Sequence, residues 1–300
     1  MTIFEKVMTS KEIVENEDFE QTQWLVDDLI PSGQAGLIVA PPKAMKSSLS
    51  MDIAQAVSSG GKVMNHQARQ ANVLIIQNEN NVLTERQRLI NGTRENNDNL
   101  FFLHGGVFKL DNIDHMRDLT RYIQEHDIKL VVIDPLKDCL SSDEILNSMQ
   151  EMNRVLMQLT KMKLFLNDVS FILVAHARKN VTEQSLSEKD FRVVPEHVLG
   201  STAIPSWYEF CFTMSPKRGK NGTYSIIRLT ARNFAYNKEI ACGYIGDQFS
   251  YILPESEKEK HREEVEEEIK QEETEKEISE QLDILLEALK EQGKADIVND

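Results

Sequence analysis

The chain has 300 residues, of which 40% are hydrophobic and 28% are charged, and this composition excludes a mainly disordered protein. No stretch reaches the roughly 18 consecutive apolar residues of a membrane-spanning helix, and the N-terminus lacks the basic and then apolar order of a secretory signal. We therefore expect a cytoplasmic protein without a membrane partner. Cys139, Cys211 and Cys242 are far apart and follow no disulfide or zinc spacing, so we interpret them as reduced, space-filling thiols.

The negative charge is distributed unevenly along the sequence. The formal net charge is −15, but the segment from Glu255 to Asp300 contains 18 acidic and 7 basic residues and so carries most of it. The rest of the chain is close to neutral and can still form a local basic surface. Net charge therefore neither supports nor excludes a nucleic-acid partner.

Up to Gly200 the sequence alternates short apolar runs with amphipathic stretches, which is typical of a parallel sheet flanked by helices. Apolar residues recur at helical spacing from Met149 to Met162 and, more weakly, from Ile113 to Ile123. Buried parallel strands are predicted at Leu37–Ala40, Val73–Gln77, Leu100–Leu103, Leu130–Ile133 and Phe171–Ala175. The fold class predicted from this pattern is α/β.

Beyond Gly200 the pattern changes to antiparallel strands and then to a charged helical tail. We predict an N-terminal segment (1–19), an α/β core (20–254) and an acidic helical tail (255–300), whose end from Glu280 resembles the first helix of a winged-helix unit. The late strands are predicted at Glu209–Met214, Tyr224–Thr230, Ile240–Tyr244 and Phe249–Leu253, with a turn-rich piece at Pro216–Gly222. The tail has an apolar stripe that needs a partner, formed by Ile278, Leu282, Leu285, Leu286 and Leu289.

A strand, a loop, a Lys-Ser pair and a helix follow one another between Leu37 and Gly60. In a phosphate-binding loop, backbone N–H groups at a helix N-terminus surround the phosphates, a lysine reaches the β- and γ-oxygens, and a serine binds Mg²⁺. Lys46 and Ser47 match the last two roles, although Ala40 and Met45 replace both glycines of G-x-x-x-x-G-K-[ST]. The alternative is an ordinary strand–helix turn with a surface lysine. The predicted nucleotide-binding loop comprises Pro42, Lys43, Ala44, Met45, Lys46, Ser47 and Ser48.

Two other predicted strands end in carboxylates. Asp134 follows four apolar residues, as does the carboxylate that holds Mg²⁺ through water in P-loop ATPases, so the predicted cofactors are ATP and a Mg²⁺ held by Ser47 and Asp134. Glu79 ends the neighbouring strand, where a base or orienting group for the attacking water is needed. The alternatives are a turn or cap role for Asp134 and a solvated loop position for Glu79.

The order of these elements resembles that of the RecA-like P-loop ATPases, and within them the RepA/DnaB-like hexameric helicases of plasmids and phages, from Glu20 to Leu253. The group also contains single-domain recombination proteins. Three further segments are similar to parts of that family: the lead-in Trp24–Gly33, the strand end Ile133–Leu136, and the helix start from Gly200 to Ala203. The resemblance implies a central, mostly parallel sheet with antiparallel strands on its C-terminal side.

The resemblance also implies roles for His176 and Arg232. His176, followed by Arg178 and Lys179, would sense the γ-phosphate and couple it to DNA-contacting loops, whereas its local alternative is a hydrogen-bonded strand-end histidine. Arg232 would reach the ATP of the neighbouring subunit, although Thr230 stands where a lysine is usual, and its alternative is a surface arginine. An arginine supplied in trans implies a homo-oligomeric ring, by family resemblance a hexamer.

Two basic segments are the predicted contacts for single-stranded DNA. They are loop 178–192, with Lys179, Lys189 and Arg192, and loop 216–222, with Lys217, Arg218 and Lys220. The predicted function is an ATP-dependent single-stranded-DNA motor, a RepA-like replicative DNA helicase that hydrolyses Mg-ATP at subunit interfaces. Two alternatives stay open: a RecA-core recombination mediator or single-strand annealing protein, and a nucleotide-dependent assembly protein without DNA binding.

Overall fold

The structure is a computed structural model that describes residues 7–15, 23–90, 97–188, 190–219, 222–236, 239–245 and 248–252. The chain divides into two units, Met1–Ile252 and Leu253–Asp300, and the second lies outside the described residues. The predicted acidic tail with its apolar stripe and possible winged-helix start, together with Lys189 and Lys220, therefore falls outside the description. The division into segments 1–19, 20–254 and 255–300 stays a prediction.

The described part of the first unit alternates strands and helices as the sequence pattern indicates. Its helices are α1 (Ser10–Glu15), α2 (Lys46–Ser59), α3 (Val82–Ile90), α4 (Ile113–Glu125), α5 (Asp143–Asn147), α6 (Met149–Leu166), α7 (Lys179–Ser187) and α8 (Ile204–Trp207). Its strands are β1 (Trp24–Val26), β2 (Ile30–Pro31), β3 (Ala35–Ala40), β4 (Lys62–Val63), β5 (His66–Gln67), β6 (Asn72–Gln77), β7 (Leu100–His104), β8 (Ile128–Asp134), β9 (Ser170–His176), β10 (Phe210–Gly219), β11 (Gly222–Ala231), β12 (Glu239–Ile245) and β13 (Gln248–Ile252).

Nine of these strands form one sheet in the order β13-β12-β11-β10-β3-β9-β8-β6-β7. The strands from β10 to β7 in that order run parallel, and β11, β12 and β13 add antiparallel pairs on the C-terminal side. The predicted α/β fold class and the placement of its antiparallel strands are confirmed. Every strand that the sequence analysis places in the core is present, with ends shifted by a few residues.

The sheet is central because its inner strands are apolar on both faces. All six residues of β3 are buried, with Leu37 and Val39 in one core and Ile38 and Ala40 in the other. The apolar faces of α4 and α6 pack on the first side, and α2 packs on the second. The predicted apolar stripes begin one position too early. Met149 and Ile113 are the first residues of their helices and are 61% and 59% exposed. The buried residues of the stripes are Met116, Leu119 and Ile123 in α4, and Met152, Val155, Leu156, Leu159 and Met162 in α6.

The three cysteines are free thiols that are fully buried, as predicted. Burial raises the pKa of Cys139 and Cys242 to about 12, so these side chains remain uncharged at neutral pH. No helix among the described residues combines the length and the apolar character needed to cross a bilayer.

The described residues of the predicted turn-rich segment Pro216–Gly222 are instead strand, and they belong to the β10–β11 hairpin. Residues Pro216 to Gly219 continue β10 and pair with β11, with Pro216 opposite Ser225. Lys217 is only 5% exposed, and its ammonium group donates hydrogen bonds of 2.8–3.0 Å to the backbone carbonyls of Ser185, Glu188 and Phe191. The prediction that Lys217 contacts DNA is therefore wrong, because its charge is used inside the protein.

The predicted loop 178–192 also needs correction, since most of it is helix α7. Arg192 forms an ion pair with Glu239 through two hydrogen bonds of 3.0 and 3.1 Å. It is therefore bonded to β12 and does not lie in a free loop. Arg178, Lys179 and Arg218 are exposed. Because Lys217 bonds the carbonyls of Ser185 and Glu188, these two predicted DNA segments pack against each other.

We predict that Lys217 stabilises the fold and that its neighbour Arg218 does not. Replacing Lys217 with Met removes the donor of three buried hydrogen bonds and should lower the free energy of unfolding by about 1–3 kcal/mol. Arg218→Met is the matched control, because Arg218 is exposed on the same strand. Urea unfolding measures both, and equal stability of the two variants would contradict the structural role of Lys217.

Candidate nucleotide-binding site

The predicted site residues gather at one edge of the sheet because four neighbouring parallel strands end there. In the register, Ala40 at the end of β3 lies beside His176 at the end of β9, and Asp134 at the end of β8 lies beside Gln77 at the end of β6. Glu79 follows two residues after Gln77. Ligands of open α/β sheets bind at this carboxyl edge. The sheet topology thus brings the phosphate-loop strand and the two predicted carboxylate strands together.

At the second glycine position, the loop between β3 and α2 has the backbone conformation that glycine favours. Met45, at the second glycine position, has φ 65° and ψ 24°, and Lys43 has φ 61°. A residue with a side chain adopts this left-handed region at a cost of about 1–2 kcal/mol, so the surrounding structure must impose it. Helix α2 begins directly at Lys46 and has no side-chain cap. The loss of glycine has therefore not removed the loop geometry.

Two late strands support the loop. The Ser225 hydroxyl on β11 donates a 3.1 Å hydrogen bond to the carbonyl of Ala44, which is completely buried. The hydroxyls of Ser48 and Tyr244, on β12, lie 2.5 Å apart. The antiparallel strands thus hold the phosphate loop from the side, and the β10–β11 hairpin contacts it directly through Ser225.

Lys46 is buried beside the strand-end carboxylates. It is 8% exposed, and this burial lowers the pKa of its ammonium group, while the negative charges of Asp134 and Glu79 counteract the shift. A buried ammonium near two carboxylates is a cation with few water contacts, and a phosphate oxygen would stabilise its charged form. Lys46 therefore occupies the electrostatic position that the sequence predicts.

Asp134 is 2% exposed, and burial raises the pKa of its carboxyl group, against the opposing effects of Ser47, Lys46 and Ser50. Its Oδ2 accepts a 3.2 Å hydrogen bond from Ser50. Its Oδ1 is buried and has no hydrogen-bond partner among the described residues. An unpartnered buried carboxylate oxygen near the Ser47 hydroxyl fits a Mg²⁺ site, which takes oxygen ligands.

The described residues contain no group of three or more His, Cys, Asp or Glu side chains that could hold a metal ion. Mg²⁺ is commonly held by one or two protein groups together with substrate phosphates and water. Ser47 and Asp134 are the residues that would hold it.

Glu79 and His176 lie within electrostatic range of Lys46 but differ in burial. Glu79 is exposed, and its charge acts on both Lys46 and His176. His176 is half-buried, and burial together with the positive charge of Lys46 lowers its pKa, so its imidazole is neutral at pH 7. The structure therefore brings four predicted residues together, while their chemical roles stay predictions.

Arg232 lies at the opposite edge of the sheet. It follows Ala231, which pairs with Phe210, and Phe210 is in turn aligned with Gly36 near the start of β3. Four residues of strand, roughly 13 Å at 3.3 Å per residue, separate Gly36 from the phosphate-loop end of β3. The exposed guanidinium donates a 2.7 Å hydrogen bond to the carbonyl of Ser206. Arg232 is thus separated from the phosphate loop of its own chain.

The sequence analysis misses four residues of this site. Ser50 and Tyr244 are recognisable only once the fold brings them to Asp134 and Ser48. Glu85 and Arg88 form an ion pair on α3, and their spacing of three residues on a helix directly after Glu79 is a signal that could have found them.

Comparison with known proteins agrees with this geometry. Residues 5–181, more than half of the chain, match the model of the AAA domain family AAA_25. No curated protein matches the sequence. Two similar solved structures are the KaiC-like protein PH0186 from the hyperthermophilic archaeon Pyrococcus horikoshii OT3 and the flagellar accessory protein FlaH from Methanocaldococcus jannaschii.

These two similarities concern the fold alone, because both identities are 11%. The KaiC-like protein has a TM-score of 0.55, with 76% of this chain and 94% of that chain covered. FlaH has a TM-score of 0.54, with 77% of this chain and 100% of that chain covered. The narrower resemblance to the RepA/DnaB-like helicases stays a prediction. The chain belongs to the AAA domain family and has the RecA-like fold of P-loop ATPases.

Proposed function

We propose that the protein is a ring-forming ATPase that hydrolyses Mg-ATP at subunit interfaces and uses the hydrolysis to move along single-stranded DNA, as a RepA-like replicative helicase would. The observation that carries the hydrolytic part is the convergence of Lys46, Asp134, Glu79 and His176 at the carboxyl edge of the sheet. A buried cation, a buried carboxylate and an exposed carboxylate there provide the binding, metal-holding and water-activating groups that phosphoryl transfer needs.

The binding and hydrolytic roles follow from the environment of each side chain. Lys46 contacts the β- and γ-phosphate oxygens, helped by the backbone N–H groups at the start of α2. Ser47 and Asp134 would hold Mg²⁺, which would supply positive charge to the same phosphates. Glu79 is exposed, so water can reach its carboxylate, which orients the attacking water and accepts its proton.

The coupling to DNA is supported by two short connections. The β10–β11 hairpin, which carries Arg218, contacts the phosphate loop through Ser225 and Ala44. His176 lies two residues before Arg178, the residue that precedes α7. A shift of the phosphate loop or of His176 would therefore be transmitted to the surface that carries Arg178, Lys179 and Arg218. This surface is the proposed contact with single-stranded DNA.

Assembly is supported by the position of Arg232. Since Arg232 lies at the edge opposite to the phosphate loop of its own chain, a role in hydrolysis requires a neighbouring subunit. A second copy that presents this edge to the site would supply an arginine to the transition state, as arginine fingers do. A closed homo-oligomer, such as the hexamer expected from the family resemblance, repeats this contact at every site.

A second candidate function is a nucleotide-dependent assembly protein that does not bind DNA. The observation that favours it is the internal use of Lys217 and Arg192, two of the basic residues that the sequence predicts to face DNA. Only the remaining exposed cations of this surface could contact phosphates. The DNA experiment below separates the two functions.

We predict that Lys46→Ala and Glu79→Gln separate nucleotide binding from hydrolysis. Lys46→Ala should abolish measurable ATP binding, because it removes the buried cation beside Asp134. Glu79→Gln should preserve binding and strongly slow hydrolysis, because an amide cannot accept a proton from water. Titration with a fluorescent ATP analogue and steady-state turnover measure the two effects. Unchanged affinity in Lys46→Ala would refute the phosphate-loop assignment.

We predict that mixing two inactive variants restores some ATP hydrolysis. Arg232→Ala alone should lose about 10³–10⁵-fold in turnover if the arginine acts in trans. Mixed with Lys46→Ala, it should regain activity at interfaces that combine an intact Lys46 with an intact Arg232. Arg228→Ala, on the strand that precedes Arg232, is the control and should keep its activity. Mixed assemblies that form but stay inactive would exclude the shared site.

We predict that single-stranded DNA stimulates the ATPase and that this effect needs the exposed basic surface. The triple variant Arg178→Ala, Lys179→Ala, Arg218→Ala should lose the stimulation but keep the basal rate. The control replaces three exposed arginines of α4 and α6, Arg117, Arg121 and Arg154, and should leave the stimulation unchanged. The ATPase rate is measured with and without single-stranded DNA, and the native mass shows whether each variant assembles. An assembled, active enzyme that ignores DNA would favour the second candidate.

A further inference from the structure

Helix α3 carries a buried carboxylate that the proposed hydrolysis does not use. Glu85 is 2% exposed, although its neighbours on the helix are mostly exposed. Leu89, one turn later, packs against the core cluster that contains the buried face of α2, so this side of α3 faces the same side of the sheet as the phosphate-loop helix. A carboxylate is rarely buried without a partner or a function.

The partner of Glu85 is Arg88, and their contact uses only part of each group. Arg88 Nη1 donates a 2.8 Å hydrogen bond to Glu85 Oε1. Oε2 of Glu85 is buried and has no hydrogen-bond partner among the described residues. The Arg88 side chain is 36% exposed, so it extends from the buried carboxylate towards accessible space. A guanidinium group has five N–H donors, and this ion pair uses one of them.

The position of Arg88 is close to the nucleotide site. Helix α3 begins three residues after Glu79, at the same carboxyl edge of the sheet as Lys46 and Asp134. The positive charge of Arg88 further lowers the pKa of Lys46 and opposes the rise in the pKa of Asp134. Leu89, next to Arg88, and Met45, next to Lys46, pack against the same core cluster, which places this part of α3 near the phosphate loop. Arg232, by contrast, lies at the opposite edge of the sheet, away from the phosphate loop of its own chain.

We propose that Arg88 contacts the terminal phosphate of ATP bound to its own subunit, and that Glu85 is the positioning residue that orients the guanidinium group. The inference rests on the proposed ATP hydrolysis at this site. A carboxylate on one edge of a guanidinium group fixes its plane, and the remaining N–H groups can then bond two phosphate oxygens. The γ-phosphate carries charge that ADP lacks, so Arg88 favours ATP over ADP.

This role differs from that of Arg232 because it acts in cis. Arg88 and Lys46 of one chain serve the same phosphate group, whereas Arg232 serves the neighbouring chain. A subunit that lacks Arg88 cannot be complemented by one that lacks Lys46, because no interface then contains a subunit with both residues. The subunit-mixing experiment proposed for Arg232 therefore has the opposite outcome for Arg88.

The test compares the affinities of Arg88 variants for Mg-ATP and Mg-ADP. Arg88→Gln should weaken ATP binding by about 10- to 100-fold, as expected for the loss of a charge-assisted hydrogen bond, and ADP binding by less than about threefold. Arg86→Gln is the matched control, because Arg86 is exposed on the same helix, and it should change neither. Glu85→Gln should reduce the ratio of ATP to ADP affinity in the same direction by a smaller factor, which loss of stability alone would not do.

Folding is controlled separately, since Arg88→Gln leaves a buried carboxylate without its cation. The double variant Glu85→Gln, Arg88→Gln removes both charges and is expected to unfold at a temperature close to that of the wild type while losing the preference for ATP. A double variant that folds and retains the wild-type ratio of affinities would overturn the inference, as would recovery of hydrolysis on mixing Arg88→Gln with Lys46→Ala. One pair of results would refute only the role of Arg88 and leave the proposed function intact. In it, Lys46→Ala loses nucleotide binding while Arg88→Gln keeps the wild-type ratio of ATP to ADP affinity.

Discussion

The opposite charges of Lys46 and Asp134, both buried at the carboxyl edge of the sheet, are the interaction on which the site depends. Burial lowers the pKa of the lysine and raises that of the aspartate, so each charge is costly where it lies. Each charge opposes the shift of the other, and Ser50 donates a hydrogen bond to the carboxylate. The oxygen of Asp134 that is unpartnered among the described residues is a free ligand for a cation, and the buried ammonium group of Lys46 favours an anion beside it.

The phosphate loop shows how a sequence can lose the glycines of a motif and retain its backbone. Met45 and Lys43 adopt positive φ values that are unfavourable for residues with side chains. They persist because the loop is held at its ends by β3 and α2 and from the side by Ser225. The cost of the conformation is therefore offset by long-range contacts, and the motif is maintained by tertiary structure rather than by the local freedom of glycine.

The late antiparallel strands connect the nucleotide site to the surface. They lie outside the segment that the family model matches, which ends at residue 181. Through Ser225 they contact the phosphate loop, and through Lys217 they hold the segment after α7. This arrangement connects the candidate nucleotide site with the hairpin that carries Arg218.

The sequence by itself determined the α/β class, the strands, the place of Asp134 at a strand end and that of Lys46 at a helix start. Apolar runs and helical spacing are local patterns that decide secondary structure directly. Only the tertiary structure decided which charged side chains are free to contact a ligand and which are bonded within the protein. Lys217 and Arg192 have the same local pattern as solvated basic residues, yet both are bonded to groups distant along the chain. The position of Arg232 at the far edge and the burial of Glu85 likewise depend on strand order and helix packing. Such properties arise from contacts between segments that no local pattern encodes.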